Sequence, residues 1–122
     1  MRLIEELELR LKQEESPFRA QLLREDIARL DRLRGLARRG GDLIALRQAS
    51  MRLGWTQGDM RTQELRAPLE ALVDAIYACE CGNGDAEQEA RIIEAWNTLH
   101  QTRMERLTGC LSTPVPKPGE GA

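Results

Sequence analysis

Apolar side chains return every three or four positions along most of the 122-residue chain. That spacing gathers them on one face of an α-helix. Leu3, Ile4, Leu7 and Leu11 predict a first helix over about residues 2–14. Ser16-Pro17 then interrupts: serine caps helix starts, and proline at the first helical position gives up only an amide that had no partner. A second helix follows to about Arg38, with Leu23, Ile27, Leu30, Leu33 and Ala37 as its buried stripe. Gly40-Gly41 ends it, because glycine tolerates the left-handed conformation common at helix C-termini.

Asp42 is placed to cap a third helix, "LIALRQASMRL", which Gly54 closes. Thr56-Gln57-Gly58-Asp59 has the form of a capping box, a hydroxyl followed three residues later by an acid. A fourth helix is therefore expected to run towards Cys79, burying Leu65, Leu69, Leu72, Val73 and Ile76. Pro68 lies inside that stretch and predicts a kink or break, since it removes a helical hydrogen bond and crowds the preceding turn. "CGNGD" is a turn with Asp85 as the next N-cap. The fifth helix extends to about Leu107 and buries Ile92, Ile93, Trp96, Leu99 and Leu107.

This pattern predicts an all-α protein, a small bundle of about five helices, three of them long, joined by short turns. One domain is expected over residues 1–108. Residues 109–122, with the Pro- and Gly-rich "STPVPKPGEGA", form the expected flexible tail. Composition agrees: aromatics are only 3% of residues, and straight-chain helix formers outnumber β-branched ones. No run of apolar residues is long enough for a membrane span. "MRLIEELELR" lacks the apolar core of a secretory signal. The three cysteines, Cys79, Cys81 and Cys110, suit a reducing compartment better than a disulfide framework. A cytoplasmic protein without a membrane partner is the expectation.

Charge changes the picture. The net charge is −2, but residues 19–66 hold eleven arginines against six acids, and residues 67–122 hold four basic groups against nine acidic ones. Such asymmetry marks either a nucleic-acid face or segments that attract each other within one bundle. Arg24, Arg32 and Arg39 fall off the apolar stripe of the second helix and are the candidate partner-binding residues.

Residues 48–61, "QASMRLGWTQGDMR", carry a sharper alternative. A helix-turn-helix needs a small residue, a glycine turn and polar readers at the start of its second helix. Ser50 and Gly54 fill the first two roles, Trp55 is an apolar plug, and Thr56, Gln57 and Arg61 are the readers, flanked by Arg52 and Arg66. "LGWTQGDMRTQELRA" resembles the DNA-reading end of the fourth region of sigma factors. Leu53-Gly54, Gly58, Met60, Arg61 and Thr62 match its pattern, followed by Arg66-Ala67. The resemblance implies that Arg61 and Arg66 approach the phosphate backbone. The simpler expectation is a bundle corner, with Gly54 and Thr56 as caps and Trp55 as its plug. Asp59 stands where phosphate contacts would fall, and Pro68 departs from the pattern.

Candidate chemistry is thin. Cys79, Cys81, His100 and Cys110 have the count of a zinc site but not its bite, because paired ligands are usually two to four residues apart. The single histidine has no nucleophile motif around it. Glu87, Glu89 and Glu94 are expected on the exposed, N-terminal part of the fifth helix, where acids complement the helix dipole. No enzyme, cofactor or metal is expected. The sequence points to a helical interaction protein (an adaptor, chaperone or inhibitor) that binds a partner protein. The first helix, whose Leu9 falls off its main stripe, offers an apolar side for a homodimer or a partner's groove. The alternative is nucleic-acid binding, by a helix-turn-helix over residues 43–66 or as a helical subunit of a ribonucleoprotein complex.

Overall fold

A computed structural model describes residues 1–53 and 63–108. It contains five helices: α1 (Arg2–Gln13), α2 (Pro17–Arg38), α3 (Leu43–Arg52), α4 (Gln63–Cys81) and α5 (Ala86–Thr108). No strand occurs among the described residues. The helical periods read from the sequence therefore correspond to real elements. None of these helices is long and apolar enough to cross a membrane.

The helix ends follow local chemistry. The Ser16 hydroxyl accepts from the Arg19 amide, and the Glu14 carboxylate accepts from the Ser16 amide. Pro17 occupies the first helical turn. At the far end of α2, Gly40 adopts φ 89°, and the amides of Gly40 and Gly41 reach back to the carbonyls of Ala37 and Leu36. A Cβ on Gly41 would meet the Leu36 carbonyl oxygen at 2.8 Å, so this close reversal requires both glycines. Asp42 caps α3 through the Ala45 amide. Asp85 and Gln88 cap α5 reciprocally, each side chain accepting from the other's backbone amide.

α4 and α5 share the most extensive interface; α2 packs on α1, α3 and α4, while α1 reaches α5 and α3 rests on α4. The core is leucine-rich and runs through all five helices, with Leu7, Leu30, Leu46, Leu72, Ile93 and Trp96 among its fully buried members. The expected stripes of α4 and α5 are buried as read, except that the side chain of Leu107 lies outside the described residues.

Three expectations need correction. α4 does not break at Pro68 but runs through it from Gln63 to Cys81. Leu65 and Leu69, flanking the proline, are both buried, and this packing holds the helix together across the missing hydrogen bond. In α2, Ile27 is only half-buried whereas Asp26 is fully buried, so a carboxylate occupies part of the apolar stripe. Glu89 is partly buried rather than exposed. It accepts from the Arg2 amide at 2.9 Å and faces the Cys79 thiol. The proposed capping box of residues 56–59, Trp55 and the tail lie outside the described residues.

Candidate functional site

A buried polar cluster links α2 to α5. Asp26 and Trp96 are wholly buried, and Arg103 and His100 are 2% and 4% exposed. The Asp26 carboxylate accepts from Arg103 Nη1 at 3.0 Å and Nη2 at 2.7 Å, from Trp96 Nε1 at 3.0 Å and from Arg29 Nη1 at 3.0 Å. Those four bonds use the acceptor capacity of a carboxylate. The Arg29 guanidinium also donates from Nε to the Leu53 carbonyl at 2.7 Å and from Nη2 to Glu25. The cluster thereby reaches the C-terminal end of α3.

His100 stacks on Trp96, with ring centroids 4.5 Å apart and planes inclined by 13°. Its Nδ1 lies 2.7 Å from Arg103 Nη2. A guanidinium only donates, so Nδ1 accepts and the neutral ring carries its proton on Nε2. Burial, reinforced by the Arg103 charge, pushes the imidazole down to about 3. Among the described residues, Arg103 Nε is the buried side-chain polar atom left without a partner. The saturated carboxylate and the imidazole held neutral beside a cation tie α2 and α5 together.

The cysteines and histidine do not converge. Cys79 faces Glu89, and His100 lies eleven residues beyond Glu89 in α5, roughly 16 Å along the helix. Burial, with the Glu89 charge and hydrogen bond, raises the Cys79 thiol to about 11. Cys81 is exposed, and Cys110 lies outside the described residues. No group of three or more His, Cys, Asp or Glu side chains suited to a metal ion forms among the described residues.

Charge asymmetry along the sequence is partly consumed inside the bundle. Arg38 on α2 pairs with Glu80 on α4 at 2.8 Å, and this hydrogen bond raises the arginine further. Arg47 on α3 grips Asp74 on α4 with two nitrogens, at 2.9–3.1 Å. The basic middle and the acidic last part therefore attract each other directly.

Two surfaces stand out as exposed among the described residues. Along α2, Arg24, Arg32 and Arg39 are exposed, as the sequence predicts. Between α3 and α4 lies an open groove of about 270 Å³, lined by Arg47, Gln48, Ser50, Met51, Arg66, Leu69 and Glu70. Met51 lines it at 56% exposure, and Ile44 lies two turns earlier on the same side of α3 at 65% exposure, while Leu46 on the opposite side is buried. Of the candidate nucleic-acid readers, Arg52 is exposed near the end of α3, and Arg66 lines the groove in an ion pair with Glu70 at 3.3 Å. Thr56, Gln57 and Arg61 lie outside the described residues. Leu9 is exposed on α1, and Phe18 on α2.

No protein-family model, curated protein or solved structure matches this chain.

The Asp26–Arg103 pair and the groove escaped the sequence reading. A signal for the pair existed. Leu23, Asp26, Leu30, Leu33 and Ala37 follow alternating steps of three and four, and so do Ile92, Trp96, Leu99 and Arg103. One acid and one base at seam positions of two helices are candidates for a buried pair.

Proposed function

We propose that this protein is a non-catalytic helical binding module that acts by docking a partner protein on the α3–α4 face. The observation that carries this reading is the pair Ile44 and Met51. They stand exposed two turns apart on one side of α3, and Met51 lines a groove whose polar rim is set by Arg47, Gln48 and Glu70. A short helix with apolar side chains on both its inner and outer faces has more apolar surface than its own bundle uses. Apolar residues rimmed by polar ones mark interaction sites. Methionine suits such a surface because its flexible thioether adapts to different shapes. An adaptor, chaperone or inhibitor acting in the cytoplasm fits this description, with no cofactor or metal in its action.

The second reading is nucleic-acid binding through Thr56, Gln57, Arg61, Arg66 and Arg52. It is favoured by the exposure of Arg52 beside the α3–α4 face. A photo-crosslinking side chain at Met51, with Gln101 on the exposed side of α5 as control, tests the first reading in extracts of the producing cells. Discrete protein adducts from position 51 alone are expected. Equal, diffuse labelling from both positions would overturn the docking face. Anisotropy with labelled duplex DNA and RNA at low and near-physiological salt tests the second. Phosphate contacts make affinity fall steeply with salt, so binding that survives near-physiological salt and drops in Arg61→Ala but not in Arg32→Ala would establish it instead.

A further inference from the structure

Helix α2 carries seven arginines between residues 19 and 39 if its capping residue is included, and they divide into two groups. Arg19 pairs with Glu14, Arg29 with Glu25 and Asp26, Arg34 with Asp31, and Arg38 with Glu80. Arg24, Arg32 and Arg39 pair with no carboxylate among the described residues; Arg24 reaches only the Gln21 amide oxygen at 3.4 Å. At about 100° per residue these three fall within roughly 80° of arc, spaced by about 12 and 10 Å along the helix axis. The residues between them on that ridge are Ala28 and Gly35.

Gly35 has a specific neighbour. A Cβ built on it would lie 3.3 Å from Nη1 of Arg39. The Arg39 guanidinium thus folds back along the helix over the space that a side chain at position 35 would take, which brings its charge towards Arg32. A glycine inside a long helix weakens it, and here it leaves room for a cation laid flat on the helix surface.

We infer that this ridge docks an acidic helical segment of a partner protein. Carboxylates at seven- and eight-residue intervals on that segment meet the three arginines, one of them seated over Gly35, and its backbone approaches closely over Ala28. Charge complementarity is the ground for this occupant, and the proposal rests on the protein-binding reading above. Nucleic acid fits less well. The cationic strip is one helix wide and carries only three unpaired arginines among the described residues. Duplex DNA also carries a charge about every 1.7 Å of axis, far denser than arginines spaced about 10 Å apart.

The test uses a labelled alanine-rich helical peptide with glutamates at seven- and eight-residue spacing, its glutamine counterpart, and a labelled DNA duplex. Each is titrated by anisotropy with the full chain, with the Arg32→Gln/Arg39→Gln double variant and with Gly35→Ala. The glutamate peptide should bind, and both the glutamine peptide and the double variant should weaken binding about ten-fold. Gly35→Ala should weaken it several-fold while the variant melts at a higher temperature, a combination that loss of folding cannot produce. Equal affinity for the two peptides, or no binding of the glutamate peptide, overturns the ridge. Duplex binding that is lost in the same variants assigns the ridge to nucleic acid and overturns the proposal. Discrete crosslinks from Met51 alongside a failed peptide titration would sink this inference and leave the α3–α4 docking face standing.

Discussion

Replacing Asp26 with alanine removes the acceptor of four hydrogen bonds from three residues. Arg103 is 2% exposed and loses both of its bonds to Asp26. Trp96 Nε1 and Arg29 Nη1 lose their acceptor as well. Breaking a buried ion pair from one side costs about 3–5 kcal/mol, because the surviving charge stays buried. A buried indole N–H without a partner adds about 1–3 kcal/mol. The costs are not additive, since Arg103 can shift towards solvent, so about 4–6 kcal/mol is expected. Total stability for a domain of this size is about 5–15 kcal/mol, and the variant should therefore be close to unfolding. Urea denaturation followed by far-UV circular dichroism reads this as a large drop in the midpoint. Asp74→Ala, which breaks the half-exposed Arg47 pair, is the control and should cost no more than about 1 kcal/mol. The double variant Asp26→Leu/Arg103→Met should recover part of the loss, because no charge is then left buried, but not all of it, because Trp96 and His100 still lack partners. A cost for Asp26→Ala below about 1 kcal/mol would refute this account of the cluster. So would a double variant that is less stable than Asp26→Ala.

Protonation of His100 sets an acid limit. Its folded value of about 3 lies below the ordinary 6.5, so the unfolded chain binds the extra proton first, and stability falls as pH drops from about 6.5 towards 3. The slope from this group approaches about 1.4 kcal/mol per pH unit and vanishes above neutrality; a His100→Gln variant with the same slope as wild type would contradict it. Gly35→Ala should stabilise α2 by about 0.5–1 kcal/mol, because only the flexible end of Arg39 needs to move. Calorimetry should show a rise of about 2–4 °C in the melting temperature, and a fall would mean that the Arg39 seat resists displacement. Alkylation at neutral pH should label exposed Cys81 quickly and spare buried Cys79, whose thiol is raised to about 11. Equal rates, read by peptide mass, would show that the α4–α5 seam opens readily.

The helices, and the ends marked by Ser16-Pro17, Gly40-Gly41, Asp42 and Asp85, were legible because each rests on local chemistry that acts where side chains or backbone freedom require. The buried cluster was not. A search for apolar periodicity treats any charge as facing outward, so it passed over Asp26 and took Ile27 in its place. The pairing that makes Asp26 tolerable in the core comes from Arg103, seventy-seven residues away, and no local pattern contains it. Pro68 misled for a related reason. Its local effect is real, but burial of Leu65 and Leu69 outweighs it. The open surfaces were half legible: the exposed arginines of α2 followed from the helical period, whereas the exposure of Ile44 and Met51 depends on where α4 sits.

The Asp26–Arg103 pair has a further consequence for how this chain selects one arrangement of its helices. Leucine seams are nearly interchangeable, and a leucine-rich helix can slide a full turn along its neighbour and still bury apolar surface. Sliding α2 by one turn against α5, about 5.4 Å, would leave both charges buried and facing hydrocarbon. Each displaced arrangement then carries a penalty that the native one avoids, in the way a single polar residue in a coiled-coil seam fixes register. On this view the pair contributes less to how firmly the bundle folds than to which bundle it folds into.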